Sequence, residues 1–250
     1  MSARRSSTGP ELMLPGLREV YEAYVREADS LPALPGPLQA EVWASAQLGA
    51  LEAAAPHEQG RLAALGDLIG CLRAAATPGA RAFLRAIAAI GPVRGRAAAG
   101  RAADALGDVA AAPWEGSLGR VVPGQAWLIQ EGPLDGDRLV CEFRYEGAGT
   151  AGMHALAVRL SYGDAPSEVV IVGDVPALMA AARQAMQAEL CVVQPYDAAA
   201  VGARLRTVLT EAVPGGRGGS SPHRKHGAEP LPEACYPALP LARHRASVLP

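Results

Sequence analysis

Alternation of apolar and polar side chains predicts three consecutive β-strands between Arg138 and Asp174. In the first run, 139–145, every second residue is apolar, which is typical of a half-buried strand. The second run, 154–162, alternates in the same way, and glycine-containing turns separate the runs. The third run, 168–172, is almost wholly apolar and β-branched, a composition typical of a strand covered on both faces. Short connections between the strands favour an antiparallel meander.

Upstream of these strands, apolar residues recur at helical spacing. They predict helices at about 17–28, 38–55, 58–76, 78–90 and 93–111. The pattern assigns the second of these helices an apolar face made of Leu38, Val42, Ala46 and Leu51. Thr77 followed by Pro78 is a helix start, with threonine as the N-cap and proline at the first helical position. Short helices joined by proline and glycine turns predict either an ordinary bundle or HEAT-like helix pairs.

Downstream of the strands, the pattern predicts two more helices. One spans 173–190 with Asp174 as its N-cap, and the other follows Asp197. Short strands are predicted at about 126–130 and 191–194. This order predicts the α+β class: an all-α N-terminal half, followed by a small, mainly antiparallel sheet with two helices.

Composition divides the chain into four segments. We predict a flexible N-terminus at 1–15, a helical domain at 16–112, an α+β domain at 113–213 and a disordered tail at 214–250. The tail prediction depends on the abundance of glycine, proline and serine after residue 213, because such sequences bury too little apolar surface to offset the entropy of ordering.

Charge and cysteine content limit the classes of partner. Residues 11–213 carry a net charge of −7, so we expect no nucleic acid partner. The segment 214–250 has a net charge of +3, which is typical of a solvated tail. No apolar run is long enough for a membrane span, and no signal-peptide core follows the basic N-terminus. The four cysteines are widely spaced, so we expect free thiols and a cytoplasmic location.

Three side chains are the candidates for chemistry. His154 opens an apolar strand face, and Asp164 lies in the loop after that strand, so the two could serve general acid–base catalysis. Glu142, on the preceding strand, would complete a pocket at the same end of the sheet. The alternative is a strand-end histidine that is bonded to a nearby carbonyl group. No phosphate-binding loop, nucleophile elbow or zinc-protease motif is present.

Two sets of side chains offer ligand types for a metal ion. Cys141, His154 and Cys191 offer ligand types on neighbouring strands. Cys141, however, shares an apolar face with Phe143, where a buried free thiol is common. A second set of ligand types lies in the predicted tail, at His223, His226, Cys235 and His244. We expect these residues to belong to a disordered tail, which would not hold its ligand types in place. We therefore predict neither a metal nor a cofactor.

The stretch 114–213 resembles the C-terminal part of an uncharacterised protein family of GC-rich Gram-positive bacteria. The resemblance rests on WEGSLG at 114–119, on GQAW at 124–127, on CEFRYEG at 141–147 and on the strand that His154 opens. In that family a polar motif, DHN-x-G-G-x-x-K-D, follows this strand. Here the corresponding residues 162–170 read YGDAPSEVV, so any polar site of the family is altered in this chain. The family has no established activity, so the resemblance implies no function.

The absence of a reaction motif and the helix-rich N-terminal half favour a non-catalytic binding or scaffold protein. We expect it to use its helical half to contact another protein, although the sequence indicates no oligomeric state. The alternative is an unrecognised small-molecule binder or enzyme with a site near the His154 end of the sheet.

Overall fold

The computed structural model describes residues 10–55, 57–131, 136–147, 152–161, 165–188, 190–212 and 231–250. Its helices are α1 (Arg18–Ala28), α2 (Pro37–Ala54), α3 (Glu58–Ala75), α4 (Pro78–Ile90), α5 (Val93–Asp104), α6 (Val175–Gln187), α7 (Ala198–Glu211) and α8 (Leu239–Val248). Its strands are β1 (Val121–Gln130), β2 (Asp137–Tyr145), β3 (His154–Leu160), β4 (Pro166–Val172) and β5 (Val192–Pro195). They form one antiparallel sheet in the order β4-β3-β2-β1-β5. The predicted α+β class is confirmed.

Three helix starts follow from capping side chains. Thr77 Oγ1 accepts a hydrogen bond from the Ala80 N–H at 3.1 Å. Asp174 and Asp197 cap α6 and α7 in the same way, at 2.9 Å and 2.8 Å. Each cap satisfies one of the N–H groups that the first turn of a helix leaves without an intrahelical partner. All three predicted caps are confirmed.

The helical half, α1–α5, packs around α4. Helix α4 contacts α1, α2, α3 and α5, and these contacts fit both an ordinary bundle and paired helices. Its apolar side chains Phe83, Leu84 and Ile87 are fully buried. Of the predicted flexible N-terminus, residues 1–9 lie outside the described part. The Met13 and Leu14 N–H groups donate to the Asp67 carboxylate at 2.9 Å and 2.8 Å, so contacts with the bundle begin before residue 16.

The sheet has a thick core on one face and a thin one on the other. Alternate residues of β2, such as Leu139 and Phe143, pack against α7 and α8, whereas Val140 faces α6. Strand β4 lies at the edge of the sheet, and its Val170 is 38% exposed. The prediction that this apolar run is covered on both faces is therefore wrong. An apolar, β-branched run indicates a strand, but only the neighbouring elements decide which faces are covered.

The C-terminal segment is ordered where the sequence predicted disorder. Residues 213–230 lie outside the described part, but 231–250 form a 3₁₀ helix, Glu233–Ala238, followed by α8. The tail prediction is wrong for these residues. Their leucines are buried, and Pro240 stands in the first turn of α8, where proline leaves the helix intact.

Helix α8 lies between the helical half and the sheet. Leu241 belongs to the core of the helical half, whereas Leu239, Ala242 and Ala246 belong to the core under the sheet. Ser45 of α2 joins the segment by two hydrogen bonds: its Oγ donates to the Pro237 carbonyl at 2.7 Å and accepts from the Leu241 N–H at 3.1 Å. The boundary between the helical and α+β domains stays a prediction, and α8 packs on both sides of it.

Substitution of Gly49 tests the contact between α2 and the 3₁₀ helix Glu233–Ala238. A Cβ at Gly49 would lie 2.0 Å from the backbone carbonyl oxygen of Tyr236, so the 3₁₀ helix would have to move. We expect Gly49→Ala to lower the free energy of unfolding by about 1–3 kcal/mol. Gly66→Ala, on the exposed side of α3 with open space around the new methyl group, should raise it by about 0.5–1 kcal/mol. Urea unfolding followed by circular dichroism measures both, and equal effects would show that the contact is absent.

Candidate functional site: a buried polar cluster and a basic groove

The structure separates the two sequence candidates that it describes. His154 shares a sheet face with Leu156 and Val158, whereas Glu142 shares the opposite face with Val140. Glu142 lies against Gly124 of β1, and burial raises the pKa of its carboxyl group. The third candidate, Asp164, lies outside the described residues.

His154 has no exposed surface, and both of its ring nitrogens are engaged. Its Nε2 accepts a hydrogen bond from Arg245 Nε at 2.9 Å, and its Nδ1 lies 3.0 Å from the Gly152 carbonyl oxygen. Because arginine is only a donor, Nε2 must be the unprotonated nitrogen, and Nδ1 carries the proton that is donated to Gly152. This geometry is that of a strand-end histidine bonded to a nearby carbonyl, with an arginine added.

Arg245 and Glu41 form an ion pair with no exposed surface. Arg245 Nη2 contacts Glu41 Oε2 and lies 3.2 Å from the Tyr145 hydroxyl, which itself donates to Glu41 Oε2 at 2.5 Å. The other carboxylate oxygen, Oε1, accepts from the Gly119 N–H at 2.6 Å. Gly119 has φ +72, a conformation that glycine adopts without strain. Every polar group of this pair therefore has a partner in the structure.

His244 completes the buried cluster. Its Nδ1 lies 2.8 Å from Arg245 Nη1 and must accept the hydrogen bond, so this imidazole is also neutral. Burial and the positive charge of Arg245 lower the pKa of His154 to about 4 and that of His244 to about 3, and Arg96 adds to the effect on His244. Burial, reinforced by the Glu41 charge, raises the pKa of Tyr145.

The cluster joins separate parts of the fold and is almost wholly buried. Its members come from α2, from the ends of β2 and β3, and from α8, so it joins the helical half to the sheet through the C-terminal helix. Sequence reasoning missed Glu41 and Arg245. The sequence pattern could have indicated Glu41, because it is at helical spacing from Ser45 and Leu48. These three residues lie on the face of α2 that is buried in the structure. Val42, on the face predicted to be apolar, is 43% exposed.

A continuous groove lies where the helical half meets α7 and α8. Two adjoining cavities, of about 300 Å³ and about 330 Å³, share Glu52, Pro92, Val93, Thr210 and Arg243 in their walls. The floor of the groove is apolar and comes from four helices: Leu48, Leu51, Leu65, Ile90 and Leu209. Val93, at its rim, is 78% exposed. Within the described residues, no histidine, cysteine or aromatic side chain lines either cavity.

The walls of the groove are basic. They carry five arginines and two glutamates, a net side-chain charge of +3: Arg61, Arg94, Arg96, Arg206, Arg243, Glu52 and Glu58. Both carboxylates are already paired, since Glu52 bonds Arg243 at 2.8 Å and Glu58 bonds Arg94 at 2.6 Å. The groove is thus positive in a chain whose residues 11–213 are negative overall.

A third cavity, of about 360 Å³, separates α6 from the sheet. Arg138 and Arg159, which are paired across β2 and β3, both contact Glu131 at its end, and Arg138 also contacts Glu168 at 3.1 Å. The Nε atoms of both arginines are buried and have no hydrogen-bond partner among the described residues. The two arginines and the two glutamates balance one another within this surface cluster.

The cysteines are free thiols, as the sequence predicts. Cys141 and Cys235 are buried, and burial raises the pKa of Cys141 to about 12, so this thiol is not a nucleophile at neutral pH. Within the described ranges, no three histidine, cysteine, aspartate or glutamate side chains come together in a way that could hold a metal ion. Among the helices that the structure describes, none has the length and apolar character that crossing a membrane requires.

Comparison of the chain with family models, with curated proteins and with solved structures found no match. The resemblance of 114–213 to a bacterial family stays a prediction. The class that the structure defines is an α+β protein with a buried polar cluster, and with a basic groove where its helical half meets α7 and α8.

Proposed function

We propose that this chain is a non-catalytic, cytoplasmic binding protein whose binding surface is the basic groove. The observation that carries the proposal is the groove itself, an apolar floor with basic walls built by α2, α3, α4 and α5 together with α7 and α8. An open apolar surface rimmed by charge is what protein interaction sites present. The helical half supplies most of the floor, in line with the expectation that it contacts another protein.

The runner-up, a small-molecule site at the His154 end of the sheet, has less support. His154 has no exposed surface, and its ring nitrogens are occupied by Arg245 and Gly152. Neither His154 nor Glu142 lines the groove or the cavity under α6. A general base must reach the proton that it removes, and among the described residues His154 lines none of these three cavities.

Site-specific photocrosslinking tests the proposed function in the full chain. A benzophenone amino acid at position 93, on the exposed rim of the groove, should give a discrete adduct with a partner protein in cells of the source organism. The same group at position 192, where Val192 is 54% exposed on β5 and outside the groove, is the control. We expect Arg94→Glu to reduce the adduct at position 93 at least about fivefold, because a rim charge steers partner association. Equal adducts at the two positions, or none at position 93, would rule out the groove as the binding surface.

A further inference from the structure

The shape of the groove indicates an extended occupant. The two cavities share residues from α2, α5, α7 and α8, so they adjoin and together line one groove. Small-molecule sites are clefts or cavities that bury most of the ligand, and a longer surface groove can also accommodate a polypeptide segment that lies along it. The apolar floor gives such a segment places to bury aliphatic side chains.

The charge of the groove indicates acidic side chains on that occupant. Arg96 is half-buried, and its Nε donates to the Gly91 carbonyl at 2.6 Å, but in the described part of the chain it makes no ion pair. Burial lowers the pKa of Arg96, so a carboxylate placed beside it would recover part of the cost of burying its charge. The first turn of α5 adds to this effect, since it contains no acidic residue and has no side-chain cap.

A nucleic acid fits the groove less well than an acidic polypeptide. Single-stranded nucleic acids bind by stacking their bases on aromatic side chains, and none lines the groove among the described residues. The net charge of −7 over residues 11–213 would also repel a long phosphate backbone. A short peptide with carboxylates, by contrast, senses mainly the local positive walls, because charges beyond about 8–10 Å are screened at physiological salt.

We infer that the groove binds an extended protein segment that carries both acidic and aliphatic side chains. The aliphatic side chains pack on the leucine floor, and the carboxylates face Arg96 and the arginines of the rim. This inference rests on the proposed function and specifies the chemical class of the partner.

The test uses labelled synthetic peptides and the full chain, with binding followed by fluorescence anisotropy. The first peptide, about ten residues long, alternates glutamate with leucine; a second replaces each glutamate by lysine, and a third replaces each leucine by serine. We expect the glutamate–leucine peptide to bind at least about tenfold more tightly than either of the others, a difference of about 1.4 kcal/mol. Raising the salt concentration should weaken its binding. An oligouridine of similar length is the fourth probe.

Paired double variants locate the binding. Val93→Ser/Arg94→Glu changes two exposed residues of the groove, and we expect it to weaken binding of the glutamate–leucine peptide at least about tenfold. Val192→Ser/Arg183→Glu makes the same chemical changes at exposed positions on β5 and α6, and it should leave the affinity within about twofold. Circular dichroism confirms that both variants are folded.

Three outcomes would overturn the inference: equal binding of the lysine and glutamate peptides, tighter binding of oligouridine, or equal weakening by the two double variants. If none of the peptides binds while the adduct at position 93 persists, the groove binds a protein of another chemical class. If the adduct is also absent, the proposed function fails as well.

Discussion

Replacement of Arg245 by methionine should lower the free energy of unfolding by about 3–5 kcal/mol. The variant leaves the Glu41 carboxylate buried without its cationic partner, and an uncompensated buried charge costs about that much. It also removes the donors to His154 and His244. For a chain of 250 residues, each kcal/mol shifts Tm by about 2–4 °C, so we expect Tm to fall by about 10 °C. Urea unfolding and thermal melts measure the effect.

A double-mutant cycle separates the ion pair from general loss of packing. Glu41→Gln combined with Arg245→Met removes both charges, so it should be at least about 1 kcal/mol more stable than the sum of the two single effects implies. Arg73→Met, at an exposed position on α3, is the control and should change stability by less than about 0.5 kcal/mol. Additive single effects would show that Glu41 and Arg245 are not coupled and would contradict the account of the cluster.

Acidification should destabilise the protein steeply between pH 6.5 and about pH 4. His154 and His244 have folded-state pKa values of about 4 and about 3, below the ordinary value of 6.5 that they regain on unfolding. In that window the unfolded chain binds protons that the folded chain does not. Stability is therefore complete above pH 6.5 and is lost as the pH falls, by about 1.4 kcal/mol per pH unit for each histidine. The free energy of unfolding in urea, measured between pH 7 and pH 5, checks this slope.

Glutamine at both positions supplies the control for the acid response. Gln can accept from Arg245 and can donate to the Gly152 carbonyl as His154 does, yet it does not titrate. His154→Gln and His244→Gln should each remove about half of the slope between pH 6.5 and pH 5, and the double variant most of it. If the double variant keeps the slope of the parent protein, other groups cause the acid sensitivity.

These two predictions give the C-terminal segment a structural role. Arg245 and His244 reach the buried cluster only because α8 packs on both the helical half and the sheet. The cluster and the groove share this arrangement, since Arg243 of the same helix bonds Glu52 in the wall of the groove. A variant that displaces α8 should therefore disturb the groove as well as the core.

Local patterns in the sequence determined the elements of this protein. The Thr77, Asp174 and Asp197 caps and the alternation in β2 and β3 depend on groups within a few residues of each other, so the chain itself displays them. The α+β class follows from their order. The prediction of disorder for the C-terminal segment was wrong after residue 230. It rested on the composition of 214–250 as a whole, but all the glycines of this stretch precede residue 231. Leu239, Ala242 and Ala246, which follow, are at helical spacing and are buried.

Tertiary structure decided what surrounds these elements. Glu41 and Arg245 are 204 residues apart, and no local pattern shows that two charged side chains will meet in the core and satisfy each other. The same contact encloses His154, which the sequence presents as a possible catalytic base at the end of a strand. The groove exists only where α2, α3 and α5 come to lie beside α7 and α8. Periodicity tells which residues can share a face, but burial, pairing and cavities depend on which faces the folded chain brings together.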